Sequence, residues 1–174
     1  MKKNIILGII WIFFIVGSIS HIFFGEKWNQ NCYTNLEKSI SWNSMKPAFQ
    51  NGEKIFVKIW YYNCHSLSRW DIVAYDFANT WEIYMKILYG LPGDEIFFEQ
   101  NKMFINNQEL KNSAENIYYF TDAEIKLMNI YIEAGKLKKW AYFIFGDNIW
   151  HSNDSRKFWA IWKKNIVWKI EQKK

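Results

Sequence analysis

EIYMKILYGLPGDEIFFEQNKMFIN, residues 82–106, decides the fold. Its apolar positions are β-branched or aromatic, and Gly90-Leu91-Pro92-Gly93-Asp94 interrupts them. The spacing predicts a strand over 82–90, a turn, and a hairpin over 95–106 that reverses near Gln100-Asn101. Outward from this stretch, KIFVKIWYY (54–62) and DIVAYDF (71–77) precede it, while YFIF (142–145) and NIVWKI (165–170) follow. Each is a short run bounded by polar or turn residues, so the domain is predicted to be mainly β. Residues 107–139 break the pattern: they are polar, and Asp122 to Leu137 has helix-compatible spacing, which predicts an inserted subdomain or long excursion.

The N-terminus reads differently. Asn4 to Gly25 carries no charge over 22 residues, enough helix to cross a hydrocarbon core of ~30 Å. A cleavable signal peptide with Ser18-Ile19-Ser20 as its cleavage site is the competing reading. The apolar run continues through Ile22, Phe23 and Phe24, which favours a retained anchor over 1–25 and a catalytic or binding domain over 26–174. Lys2 and Lys3 hold the N-terminus in the cytoplasm by the positive-inside rule, although Lys27 on the far flank weakens the asymmetry. The body is therefore expected outside the cytoplasmic membrane, with the lipid bilayer as one partner.

Composition narrows the function classes. Half of the 174 residues are hydrophobic and a fifth aromatic, which excludes a disordered chain. The net charge of +5 comes almost wholly from Lys, with no basic stripe interleaved with aromatics, so nucleic acid is not an expected partner. Cys32 and Cys64 leave either two unpaired thiols or one bridge, and exclude a Cys-based zinc cluster. His21, His65 and His151 lack metal-ligand spacing, so no metal and no cofactor are expected.

Three clusters carry candidate chemistry. Ser44-Met45-Lys46-Pro47 precedes a Gly52-Glu53 turn and a strand, and by itself fits a turn serine equally well. Lys86 lies inside an apolar strand, where alternation places Tyr84, Lys86 and Leu88 on one face. It reads as a desolvated amine or as a lysine snorkelling from a sheet edge. Gly146-Asp147-Asn148, followed by Ser152, Asp154, Ser155 and Arg156, is a polar patch after an apolar strand. Taken alone it is also consistent with a hydrogen-bonded turn containing an Asp154–Arg156 ion pair.

In order and spacing, these clusters resemble the boxes of type I signal peptidases, and Arg69-Trp70-Asp71-Ile72-Val73 resembles the remaining box. The resemblance runs from the anchor to about Ile170. It implies the complex β fold shared by signal peptidases and LexA-like proteins, with one N-terminal transmembrane helix. The implied activity is a Ser/Lys serine endopeptidase that cuts signal peptides from exported preproteins. By resemblance Ser44 is the nucleophile and Lys86 the general base. Ser152 orients the lysine, and Asp147, Asp154 and Arg156 support the site. Ile40, Met45, Tyr84 and Met85 are implied to line small apolar pockets for the residues before the cut. A lysine base must lose about 3 pKa units to work near neutrality, which desolvation on an apolar strand supplies. Two alternatives remain: a self-cleaving protease of the LexA type, which carries a DNA-binding domain instead of an anchor, and an inactive, membrane-anchored binding module.

Tryptophan is the anomaly, with 11 Trp against 8 Gly. Trp42, Trp70, Trp140, Trp159 and Trp168 stand where the family pattern has Gly. Glycine serves such places through positive φ or close backbone approach, and Trp is ill suited to both. The repeated exchange is explained if the gene comes from a lineage that reads UGA as glycine. The competing explanation is a divergent homologue with genuine tryptophans. Ile87 and Ile149, where the family often has Arg, and His151, where it often has Asn, are milder departures.

Overall fold

The computed structural model describes residues 32–41, 43–76 and 83–173, and Tyr33–Lys174 forms a compact unit of its own. The expected anchor over 1–25 lies outside the described residues. Among the described residues, no helix is long and apolar enough to cross a membrane.

The strands in chain order are β1 (Thr34–Ser39), β2 (Lys54–Ile59), β3 (Ile72–Asp76), β4 (Ile83–Gly90), β5 (Ile96–Glu99), β6 (Lys102–Ile105), β7 (Gln108–Glu109), β8 (Ile132–Glu133), β9 (Lys136–Leu137), β10 (Phe143–Phe145) and β11 (Ile166–Gln172). Six of them form the main sheet in the order β1-β2-β11-β3-β4-β10, every neighbouring pair antiparallel. The mainly β expectation and all the predicted strands are thus present. β5, β6 and β7 form a second sheet, and β8 pairs with β9. The hairpin between β5 and β6 turns at Gln100 and Asn101, with φ of 49° and 63°. Both residues are left-handed, as a tight hairpin matching strand twist requires.

Two expectations need correction. The strand predicted over 54–62 stops at Ile59, because Trp60 adopts φ 66° and Tyr61–Asn63 coils into a 3-10 turn. The helix predicted over Asp122 to Leu137 is α1 (Asp122–Asn129), followed by the β8-β9 ribbon. Its start is well specified: Thr121 accepts from the Glu124 N–H while Glu124 reaches back to the Thr121 N–H. The ribbon reverses at Ala134 and Gly135, whose φ of 49° and 75° are left-handed. An alternative left open is also settled, for Cys32 and Cys64 are disulfide-bonded and not free thiols.

Alternation along β4 divides the interior. Met85, Ile87 and Tyr89 enter a large cluster with Ile40, Met45, Phe49 and Phe145, whereas Leu88 and Tyr84 join a smaller one with Val73, Tyr75 and Phe158. Lys86 takes the second face by the same period of two. β10 pairs with β4 up to Phe145 opposite Ile87, so the chain leaves the sheet at Gly146, next to the strand position of Lys86.

Candidate active site

Lys86 is 1% exposed, and its Nζ donates hydrogen bonds to Ser44 Oγ at 3.1 Å and to the Met85 carbonyl at 2.9 Å. Ser44 lies in the turn between β1 and β2, partly open to solvent. That turn is held by the Phe49 N–H donating to the Met45 carbonyl, and by Met45 and Phe49 buried in the large cluster. Burial pushes the Lys86 ammonium down to about 8; Asp154 opposes the shift and Arg156 adds to it. A fraction of the lysine is therefore neutral near physiological pH, and a neutral amine beside a hydroxyl can accept its proton.

The support comes from the segment after β10 and from α2 (Ser155–Phe158). Asp154 is fully buried; its Oδ1 accepts from Arg156 Nε at 2.8 Å, and its Oδ2 accepts from Arg156 Nη2 at 2.8 Å and from the Gly146 N–H at 3.0 Å. Arg156 Nη1 donates to the Ile149 carbonyl at 2.7 Å. Every hydrogen-bonding face of this buried pair is thus occupied, as a charge pair removed from water requires. Ser155 Oγ accepts from the Ile144 N–H at 2.9 Å, fastening α2 to β10. Asp147, also fully buried, accepts from the Ala48 N–H just after the Ser44 turn.

Ser152 sits against Gly146. A Cβ on Gly146 would lie 2.0 Å from Ser152 Oγ and 2.6 Å from the Ser44 carbonyl oxygen, so only glycine fits between them. Among the described residues, Ser152 Oγ is buried with no hydrogen-bond partner. Ile40, Met45 and Met85 gather in the large cluster, each at most 2% exposed, while half-buried Tyr84 packs on Tyr75 with ring centroids 5.6 Å apart. The first three are therefore covered side chains that a bound peptide would have to meet at their edges.

The Arg69-Trp70-Asp71 box holds strands. Arg69 donates to the Tyr89 carbonyl and pairs with Asp94 at 2.6 Å, while Asp71 accepts from Lys169 at 2.8 Å and from the Tyr62 hydroxyl at 3.0 Å. Trp70 and Trp159 have φ of 71° and 80°, and Trp60, absent from the sequence-based set, has 66°. Trp140 and Trp168 do not take left-handed backbone: Trp140 stacks on Trp162 at 4.7 Å, and Trp168 pairs with Ile59 and Ala74 in the main sheet. Trp42 lies outside the described residues.

Sequence reasoning missed the contribution of the excursion. Asn112 Nδ2 donates to the Asp147 carbonyl, Ser113 binds the Asp147 carboxylate through both its N–H and its hydroxyl, and the Tyr118 hydroxyl donates to the Gly146 carbonyl. No local pattern announces these contacts, which span 28 to 35 residues. Asn148 was visible within its motif but carried no assigned role, and it proves to be bonded to the Ser44 turn through both its backbone and its side chain.

Comparison with known proteins gives a consistent answer. The sequence model of the family described as signal peptidase, peptidase S26, matches residues 31–172. Signal peptidase I V of Bacillus subtilis is 30% identical over 140 residues, covering 76% of this chain and 81% of that protein. Signal peptidase IB of Staphylococcus aureus is 28% identical over 179 residues, covering 98% of this chain and 89% of that protein. A solved signal peptidase I of Enterococcus faecalis covers 59% of this chain and 94% of its own, at 22% identity and a TM-score of 0.41. The match takes in the Ser44 turn, the Lys86 strand and the 146–156 segment alike, and the chain belongs to the signal peptidase, or peptidase S26, family.

Proposed function

We propose that the chain is a signal peptidase, a serine endopeptidase that removes signal peptides from exported preproteins by a Ser44/Lys86 dyad. The observation that carries this reading is the 3.1 Å contact between Ser44 Oγ and the buried Lys86 Nζ. Neutral Lys86 takes the Ser44 proton as Oγ attacks the scissile carbonyl, forming an acyl-enzyme. The Lys86 ammonium returns that proton to the departing amine, and the neutral lysine then activates the water that hydrolyses the ester. Ser152, whose buried Oγ has no hydrogen-bond partner among the described residues and is left able to accept from the lysine, orients Lys86 during these transfers. Asp147, Asp154 and Arg156 hold the surrounding backbone.

The substrate lies extended beside β4, taking main-chain hydrogen bonds and setting alternate side chains against Ile40, Met45, Tyr84 and Met85. Small residues are favoured before the cut because these side chains are already closely packed. The uncharged run before Gly25 anchors the chain in the cytoplasmic membrane with residues 26–174 outside, so that the site meets preproteins as they emerge.

The purified full chain, given a preprotein in detergent, is expected to release the signal peptide at one bond. Ser44→Ala and Lys86→Ala are each expected to abolish this while keeping the parent's circular dichroism spectrum. Near-normal turnover by either variant rejects the dyad. An inert parent points to the anchored binding module instead.

A further inference from the structure

Asn148, in the segment that follows β10, reaches the turn that carries Ser44. Its backbone N–H donates to the Ser44 carbonyl at 3.0 Å, and its Nδ2 donates to the Asn43 carbonyl at 3.0 Å. Its Oδ1 accepts from the His151 N–H at 3.2 Å, which fixes the orientation of the amide. Reversing that amide would set an oxygen against the Asn43 carbonyl and an NH2 against the His151 N–H, losing both bonds. A second donor, the Lys46 N–H at 3.3 Å, converges on the same Asn43 carbonyl.

These bonds constrain a group that none of them touches. In a trans peptide the C=O and N–H point in opposite directions. Holding the Asn43 carbonyl toward Asn148 therefore turns the Ser44 N–H away from the 146–148 segment. That N–H forms no hydrogen bond among the described residues. It belongs to the attacking residue, and a donor there is within reach of the oxygen that gains charge as the carbonyl becomes tetrahedral.

We propose that Asn148 is a positioning residue that sets the Ser44 N–H as an oxyanion donor by fixing the Asn43–Ser44 peptide plane. The proposal rests on Ser44 being the nucleophile. Asn148 touches neither Lys86 nor substrate in this role, so it acts on the transition state and not on the base.

The test uses the purified full chain with a signal-peptide substrate, comparing Asn148→Ala, Asn148→Asp and Ser44→Ala. Asn148→Asp keeps size and loses the side-chain donor, whereas the backbone bond to Ser44 persists in both Asn148 variants. Each is expected to lower kcat by roughly 10- to 100-fold with KM within about threefold, since loss of a whole oxyanion donor costs about 100- to 1000-fold. The apparent pKa of the pH profile should not move. A peptide aldehyde, whose Ser44 adduct carries the same oxyanion, should weaken in parallel with kcat, while a non-covalent product peptide keeps its affinity. Unchanged kcat in either Asn148 variant overturns the proposal. So does a loss confined to KM, a shifted pKa, or equal weakening of aldehyde and product peptide. An active Ser44→Ala would instead remove the nucleophile assignment, an outcome distinct from all of these.

Discussion

Ser113 grips the Asp147 carboxylate twice, its N–H donating to Oδ1 at 2.8 Å and its hydroxyl to Oδ2 at 2.6 Å. The Ala48 N–H donates to the same Oδ2 at 2.8 Å. One buried side chain thereby ties the excursion between β7 and β10 to the end of the nucleophile turn. The excursion is thus bonded to the segment that follows β10 and, through it, to the turn that carries Ser44.

Asp147→Ala removes the acceptor for all three donors, of which the exposed Ser113 supplies two and the half-buried Ala48 one. The expected cost is about 1–3 kcal/mol, because bonds to a carboxylate are lost while water replaces part of them at the exposed Ser113. Activity should fall with it, since the Ala48 end of the turn is released. Chemical denaturation of parent and variant checks this, and an unchanged midpoint would mean that the three bonds carry no net stability.

The second expectation concerns pH. In the proposed mechanism Lys86 must be neutral to take the Ser44 proton, and burial places its pKa at about 8. The value of kcat/KM should then rise with pH and level off above an apparent pKa near 8. A limb rising only near the range of free lysine would show that the amine is solvated when it works.

The same burial has a cost in stability. The folded-state pKa of Lys86 is depressed from 10.5 to about 8, so between these values the unfolded chain binds more protons and stability rises with pH. Below about 8 the full penalty is present, of order 3 kcal/mol. Lys86→Met removes the charge and keeps the length. It should be more stable than the parent at pH 7, by a margin that shrinks as pH approaches 10. Denaturant midpoints at the two pH values decide, and equal margins would place the folded and unfolded pKa values together.

Most strands were legible because period-two alternation and turn residues are local signals, as Gln100-Asn101 illustrates. β1 was not: TNLEKS is exposed along its whole length and has no apolar face, so only its pairing with β2 makes it a strand. The meeting of Ser44 and Lys86 was anticipated by the order and spacing of their boxes, yet either residue alone could not be separated from a turn serine or a snorkelling lysine. Their 42-residue separation is closed only by the sheet. The roles of Ser113, Tyr118 and Asn148 were invisible for the same reason, since a hydrogen bond to a distant carbonyl leaves no trace in local sequence.

The last prediction concerns the backbone under the tryptophans. Trp60, Trp70 and Trp159 have φ of 66°, 71° and 80°, and Trp159 has ψ −170°, a combination that is nearly confined to glycine. These residues are 60%, 56% and 47% exposed. Holding a non-glycine residue in such regions costs about 1–3 kcal/mol at each site. Glycine relieves the strain and alanine does not, because the penalty comes from Cβ and not from the ring. Trp70→Gly and Trp159→Gly should therefore each raise the melting temperature by several degrees, about 2–4 °C per kcal/mol in a chain of this size, whereas the Ala variants should not. The sequence reading assigns UGA decoded as glycine at 70 and 159, as at 42, 140 and 168, and the positive φ of Trp60 extends that expectation to 60; peptides from the source cells should then carry glycine at 60, 70 and 159. UGG codons or tryptophan in those peptides would establish the indoles as native, and equal gains from Ala and Gly would show that the ring and not the backbone carries the cost.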